Sequence, residues 1–185
     1  ARAIPSEGSR RGGKHSFPRR TGRQAVDDSG LAARVRRLEA LRAIDDLITD
    51  LGRAFDGGPN AQALRPLFVP EATFKIDRYD TLEGADGIAE GVAGNAESGF
   101  RWTLHYLVSP RVLLARGDEE AEVEFYLWEI ATAASGRAYW IGGRYEAHAV
   151  ADGERWRFRR LELKADVISH YPEGWNPKTE NLADA

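Results

Sequence analysis

The chain contains no cysteine. That excludes a disulfide framework, a thiol nucleophile, thiolate zinc sites and cysteine-ligated iron–sulfur clusters together. Methionine is absent as well, at position 1 included, which reads as a processed or trimmed chain. No apolar run approaches the roughly 18–20 residues that span a bilayer, so no integral membrane protein is expected. There is no GxSxG, no phosphate-cradling glycine loop and no dinucleotide fingerprint, which removes the commonest serine-hydrolase, P-loop and Rossmann chemistries. Metal-ligand spacing is missing among His105, His148 and His170, the first on a strand-like run, the second near a strand end and the third in a Pro/Gly-containing tail. Neither a metal nor any other cofactor is expected.

What is present suffices for one folded domain: 185 residues, 42% of them hydrophobic and 30% charged. Charge is unevenly spread. Residues 1–24 hold seven basic side chains against Glu7, leaving 19 basic and 28 acidic groups in the rest. This segment, rich in Gly and Pro and without apolar periodicity, reads as a basic, solvated arm, and residues 176–185 as a tail. The twin arginines Arg10-Arg11 and Arg19-Arg20 are followed by no apolar stretch, so no secretion signal is readable and a cytoplasmic location is expected. The acidic body argues against nucleic acid as the main partner.

From Asp28 the pattern changes. Leu31, Val35, Leu38, Leu41, Ile44, Leu47, Ile48, Leu51 and Phe55 recur at steps of three and four, predicting a long amphipathic helix that ends at Gly57-Gly58-Pro59. A short helix follows at about Ala61–Leu67. The period then drops to two. A short strand is predicted at Ala72–Asp77 and a small helix at Gly84–Ala93. Longer strands follow at Trp102–Leu114, Ala121–Thr132, Arg137–Val150 and Trp156–Ile168. Their connections, such as Asp152-Gly153, are hairpin turns. Helices first and a meander afterwards give an α+β domain over 28–175, its N-terminal helices packed on a mainly antiparallel sheet. Strands this long must twist, and Gly142-Gly143 marks a bend. The sheet should therefore curve strongly, as in a cone-shaped barrel, and enclose an apolar pocket.

Two residues could do chemistry together. His105, on a strand face shared with Thr103 and Leu107, is the side chain best matched to proton transfer near neutral pH. Asp56 ends the long helix, where a carboxylate faces the negative end of the helix dipole at a cost of about 0.3–1 kcal/mol. Such a departure from local preference points to function. A carboxylate on Nδ1 of a histidine fixes its tautomer and stabilises the imidazolium, which suits removal of a proton beside a carbonyl. The 49-residue spacing permits contact without proving it. The bland alternatives are a core histidine and a solvated loop acid.

The segments LEALRAIDDLITDLGRAFDGG, LRPLFVPEATFKID, LEGADGIAE, RWTLHYLVSPRVLL and RAYWIGGRYEAHAVADGERWRFRRLEL, in that order from about Leu38 to Trp175, resemble the SnoaL-like group of the nuclear-transport-factor-2-like superfamily. The resemblance implies a cone-shaped α+β barrel around an apolar cavity. In the dehydratase and dehydrochlorinase branch it implies a general-base histidine at His105 paired with an aspartate at Asp56. Two positions depart from the pattern. Leu51 stands where several relatives have tyrosine, and Leu161 where an arginine is expected, unless a bulge returns Arg159 or Arg160 to the interior. Tyr145 is the substitute donor to a developing oxyanion.

The resulting expectation is a cofactor-independent lyase or isomerase acting on a hydrophobic cyclic small molecule, with His105, Asp56 and Tyr145 as catalytic residues. The alternative is a non-catalytic binding or assembly module on the same scaffold. A structural small subunit of a ring-hydroxylating dioxygenase is a third reading. Apolar residues on both faces of Ala121–Thr132 predict a homodimer or homotrimer.

Overall fold

A computed structural model describes residues 28–77 and 79–172. The arm over 1–24 and the tail over 176–185 lie outside the described residues, as does the end of the domain expected to run to 175. Helix α1 spans Asp28–Phe55 and α2 Ala61–Leu64, followed by a tight turn of 3-10 helix at Arg65–Leu67. Strands β1 (Phe68–Ile76) and β2 (Leu82–Glu83) precede helix α3 (Ala85–Ser98). Four long strands follow: β3 (Phe100–Leu114), β4 (Glu120–Ala133), β5 (Ala138–Asp152) and β6 (Arg155–Tyr171). They form one six-stranded sheet in the order β2-β1-β6-β5-β4-β3. Among the described residues only the β1–β6 pair is parallel and β2 and β3 are the sheet's edges, so the described sheet does not close into a barrel. No described helix is long and apolar enough to cross a membrane.

Helix α1 buries only its second half. Ile44, Leu47, Ile48, Leu51 and Phe55 are in the core, whereas Leu31, Val35 and Leu38 are exposed. Asn60 caps α2 by accepting from the backbone N–H groups of Gln62 and Ala63. The bend foreseen at Gly142-Gly143 is a break in the β5–β6 register. A side chain at Gly143 would collide with the Lys164 carbonyl oxygen, so only glycine lets β6 approach there.

Because facing residues in paired strands share a side, the register defines the inner face row by row. The rows Ala121–Ala149–Phe158, Val123–Ala147–Leu161 and Phe125–Tyr145–Leu163 are all buried. An aromatic column fills this part of the interior. The Phe125 and Tyr145 rings lie 5.0 Å apart, Tyr145 and Phe74 6.4 Å, and Phe74 and Phe55 6.4 Å. Over these rows the interior is side-chain core. Next comes Leu107–Leu127–Gly143–Ala165, then His105–Glu129–Ile141–Ile168, and finally Thr103–Ala131–Tyr139–His170.

Candidate active site

The end of α1 is stitched to the free edge of β3. Gly57, at a left-handed φ of 72°, turns the chain out of the helix. Its backbone N–H donates to the Thr103 carbonyl at 3.1 Å, and the Thr103 hydroxyl donates to the Phe55 carbonyl at 2.8 Å. Asp56, between them, accepts the His105 backbone N–H on Oδ1 at 2.7 Å. The same oxygen lies 3.1 Å from His105 Nδ1. An ionised carboxylate only accepts, so Nδ1 carries the proton. Hydrogen bonds to charged groups contribute about 1.5–3 kcal/mol, which outweighs the helix-dipole cost of an acid at this position. Phe55 stacks on the imidazole at 5.1 Å and holds its plane. The two residues singled out in the sequence thus form a dyad.

The same geometry brings in a third group. The His105 N–H points outward to Asp56, so His105 and Glu129 face each other as a non-hydrogen-bonded pair, the arrangement that sets side chains closest. Glu129 Oε2 lies 3.4 Å from His105 Nε2, and both side chains are only 8% exposed. Burial pushes the Glu129 carboxyl above the ordinary carboxylate range, with His105 drawing it partly back and Asp56 pushing it up again. Glu129 is not among the residues expected from the sequence. Its signal was available, as the one acid on the alternating row Val123, Phe125, Leu127, Glu129 and Ala131.

Tyr145 stands two rows deeper than His105, ring-stacked and 2% exposed. Burial first, and then the Glu129 charge, holds its phenol far above the usual value, so it stays protonated at any working pH. Leu51 and Leu161 are fully buried core residues. A register break does occur at Arg159, between the His148–Arg160 and Ala149–Phe158 pairs, but it returns no cation to the interior. Arg159 meets Glu71 and Glu120, and Arg160 meets Glu122 at 3.1 Å. His148 is partly exposed beside Glu120, while His170 belongs to β6 rather than to a tail. Two open grooves, of about 630 Å³ between Arg65 and Arg157 and about 400 Å³ along α1 beside Leu38, do not touch the dyad.

A family model for the SnoaL-like domain matches residues 36–162. The chain belongs to the SnoaL-like domain family. Solved structures share its fold at low identity. A hexachlorocyclohexane dehydrochlorinase (LinA, type 2) superposes with a TM-score of 0.71 at 18% identity, over 77% of this chain and 97% of that one. A candidate scytalone dehydratase from Novosphingobium aromaticivorans gives 0.66 at 23% identity, over 74% and 90%. A nuclear-transport-factor-2-like protein from Salmonella enterica gives 0.58 at 19%, over 77% and 99%. No curated protein matches the sequence. In this SnoaL-like domain the six-stranded sheet and three helices thus make an α+β cone left open at its edges.

Proposed function

We propose that this SnoaL-like domain is a cofactor-independent lyase or isomerase, dehydratase-like, that acts on a hydrophobic cyclic small molecule. The observation that carries the reading is the orientation of His105. Its Nδ1–H is tied to Asp56 at 3.1 Å, which leaves the Nε2 lone pair turned to the interior beside Glu129. Nε2 would take a proton from a carbon next to a carbonyl or other activating group, and Asp56 would stabilise the imidazolium. The Nε2–Glu129 contact of 3.4 Å is long for a hydrogen bond and can open to admit a C–H. Glu129, whose protonated form burial favours, would return a proton to the substrate oxygen or leaving group. Tyr145, protonated and within the field of Glu129, would donate toward the developing oxyanion. The names of the dehydrochlorinase and the candidate scytalone dehydratase support the reaction class. A cytoplasmic homodimer or homotrimer goes with this reading.

The core positions of Leu51 and Leu161, and the outward pairing of Arg159 and Arg160, favour the alternative of a non-catalytic binding module. Deuterium uptake separates the two. In D2O the wild-type protein should accelerate exchange of the activated C–H of 2-tetralone, and His105→Ala should lose at least about a hundredfold of that rate. Saturable 2-tetralone binding with no accelerated exchange would leave only the binding module.

A further inference from the structure

Helix α1 carries two apolar stripes, and only one of them faces its own domain. At about 100° per residue, Leu31, Val35 and Leu38 fall on one line, and Ile44, Leu47 and Leu51 lie about 160–220° round the helix from it. The second set is buried in the core; the first is exposed, at 48%, 43% and 66%. The orientation is pinned. Ala40, opposite the exposed line, is buried, and Arg37 reaches the β3–β4 turn to pair with Asp118 at 2.9 Å. The exposed line therefore points away from the domain that α1 covers.

Its spacing is that of a coiled-coil seam. Steps of four and three put Val35 at an a position and Leu31 and Leu38 at d, a combination that favours two parallel strands. The groove along α1 is lined by Val35, Leu38, Glu39 and Arg42, with Ala43 and Asp46 beyond. The first four are an a, a d, an e and the next a, the four-residue hole that receives a d knob from a facing helix. The flanks complete the pattern. Arg34 and Glu39 stand on either side of the seam, at g and e, and neither makes an ion pair with a described residue; the pairs on α1 belong to Arg37, Arg42 and Arg53. In a parallel pair each Arg34 meets the other chain's Glu39, five residues on. An antiparallel pair would set Arg34 against Leu41 and Glu39 against Ala32, with neither charge satisfied.

We propose that the N-terminal half of α1 pairs with the same segment of a second copy of this chain, parallel and in register. Leu31, Val35 and Leu38 form its three core layers, and Arg34 and Glu39 bridge it on both sides. Asp28 and Arg42, charged at the neighbouring a positions, end the seam, which is about 10 Å long between Leu31 and Leu38. So short a seam buries less than the roughly 1,200 Å² of a stable interface. The contact is therefore weak, and needs high protein concentration or copies already held together elsewhere. It is independent of the lyase reading, because it lies at the opposite end of α1 from Asp56.

A chain without cysteine suits disulfide trapping. Val35→Cys and, separately, Arg36→Cys are made in the full chain and oxidised with a mild copper catalyst. Facing a positions hold their Cα atoms about 6 Å apart, within disulfide reach, so Val35→Cys should give about tenfold more covalent dimer than the neighbouring Arg36→Cys. Charge reversal in the Val35→Cys background reads the orientation. Arg34→Glu alone and Glu39→Arg alone each set like charges across the seam, whereas a mixture of the two proteins satisfies both flanks. In that mixture the disulfide between unlike chains should exceed its statistical share about fivefold or more. Equal yields from Val35→Cys and Arg36→Cys would overturn the pairing, and so would a statistical mixture of disulfides. No Val35→Cys dimer, with a melting temperature lowered by Leu38→Asp, would place the stripe under other residues of its own chain and overturn it as well.

Discussion

Replacing Glu129 by glutamine should stabilise the protein, and by an amount that depends on pH. Glutamine keeps the shape of the side chain and can still donate to His105 Nε2, but it can never be charged. The native carboxyl is 6% exposed, and burial raises its pKa. The sign follows from linkage. A carboxyl whose folded pKa is raised contributes its full stability below the unfolded value, and loses it as pH climbs through the folded one. Between those limits the unfolded chain releases a proton that the folded chain keeps, so the native protein loses about 1.4 kcal/mol per pH unit. The glutamine variant escapes that loss. Urea unfolding of both proteins at intervals from pH 4 to pH 8 should show their stabilities parting above the ordinary carboxylate range, the variant gaining. For a domain of this size each 1 kcal/mol corresponds to about 2–4 °C in Tm. A constant difference across pH, or a variant less stable than wild type at pH 8, would refute the buried carboxyl as described.

Other perturbations test the remaining parts. Asp56→Asn should lower the rate of proton abstraction by about 10²–10⁴-fold. Asparagine keeps an Oδ1 that can accept the His105 backbone N–H, so the melting temperature should fall by several degrees at most, and a variant that fails to fold would make Asp56 structural. Gly143→Ala should cost about 2–4 kcal/mol in urea unfolding, because its Cβ would strike backbone. Gly136→Ala, where only a positive φ is at stake, should cost about 1 kcal/mol. Light scattering should give a dimeric or trimeric mass. Tyr126→Lys combined with Trp128→Lys, at exposed aromatics of the outer sheet face, should reduce it to that of the monomer; an unchanged mass would move the interface elsewhere.

The local parts of the fold were legible. Three- and four-residue spacing placed the end of α1 to within two residues, and turn residues such as Asp152-Gly153 marked the hairpins. The α1 stripe nevertheless overstated burial, since periodicity marks an apolar face and not whether anything covers it: Leu31, Val35 and Leu38 are exposed. The parallel β1–β6 pairing joins segments some 90 residues apart, and no local pattern encodes it. At the site, Asp56 was readable because it opposes helix-end preference, and His105 because of its strand face. Glu129 is masked by its neighbours, since both faces of β4 carry large apolar residues and a single acid among them reads as surface. His170 was assigned to a tail by the following Pro172 and Gly174, although pairing with Tyr139 carries β6 through Tyr171. Whether rings or empty space fill the cone depends on side-chain packing across four strands, which alternation does not report.

The ring-nitrogen NMR spectrum of His105 at neutral pH, in wild type and in Glu129→Gln, tests the proton-transfer unit most directly. The expected result is a proton on Nδ1 and a lone pair on Nε2, with the Nε2 signal moving when Glu129 is replaced and the Nδ1 signal moving when Asp56 is. A proton on Nε2 with Nδ1 bare, or an Nε2 signal indifferent to Glu129, would contradict it.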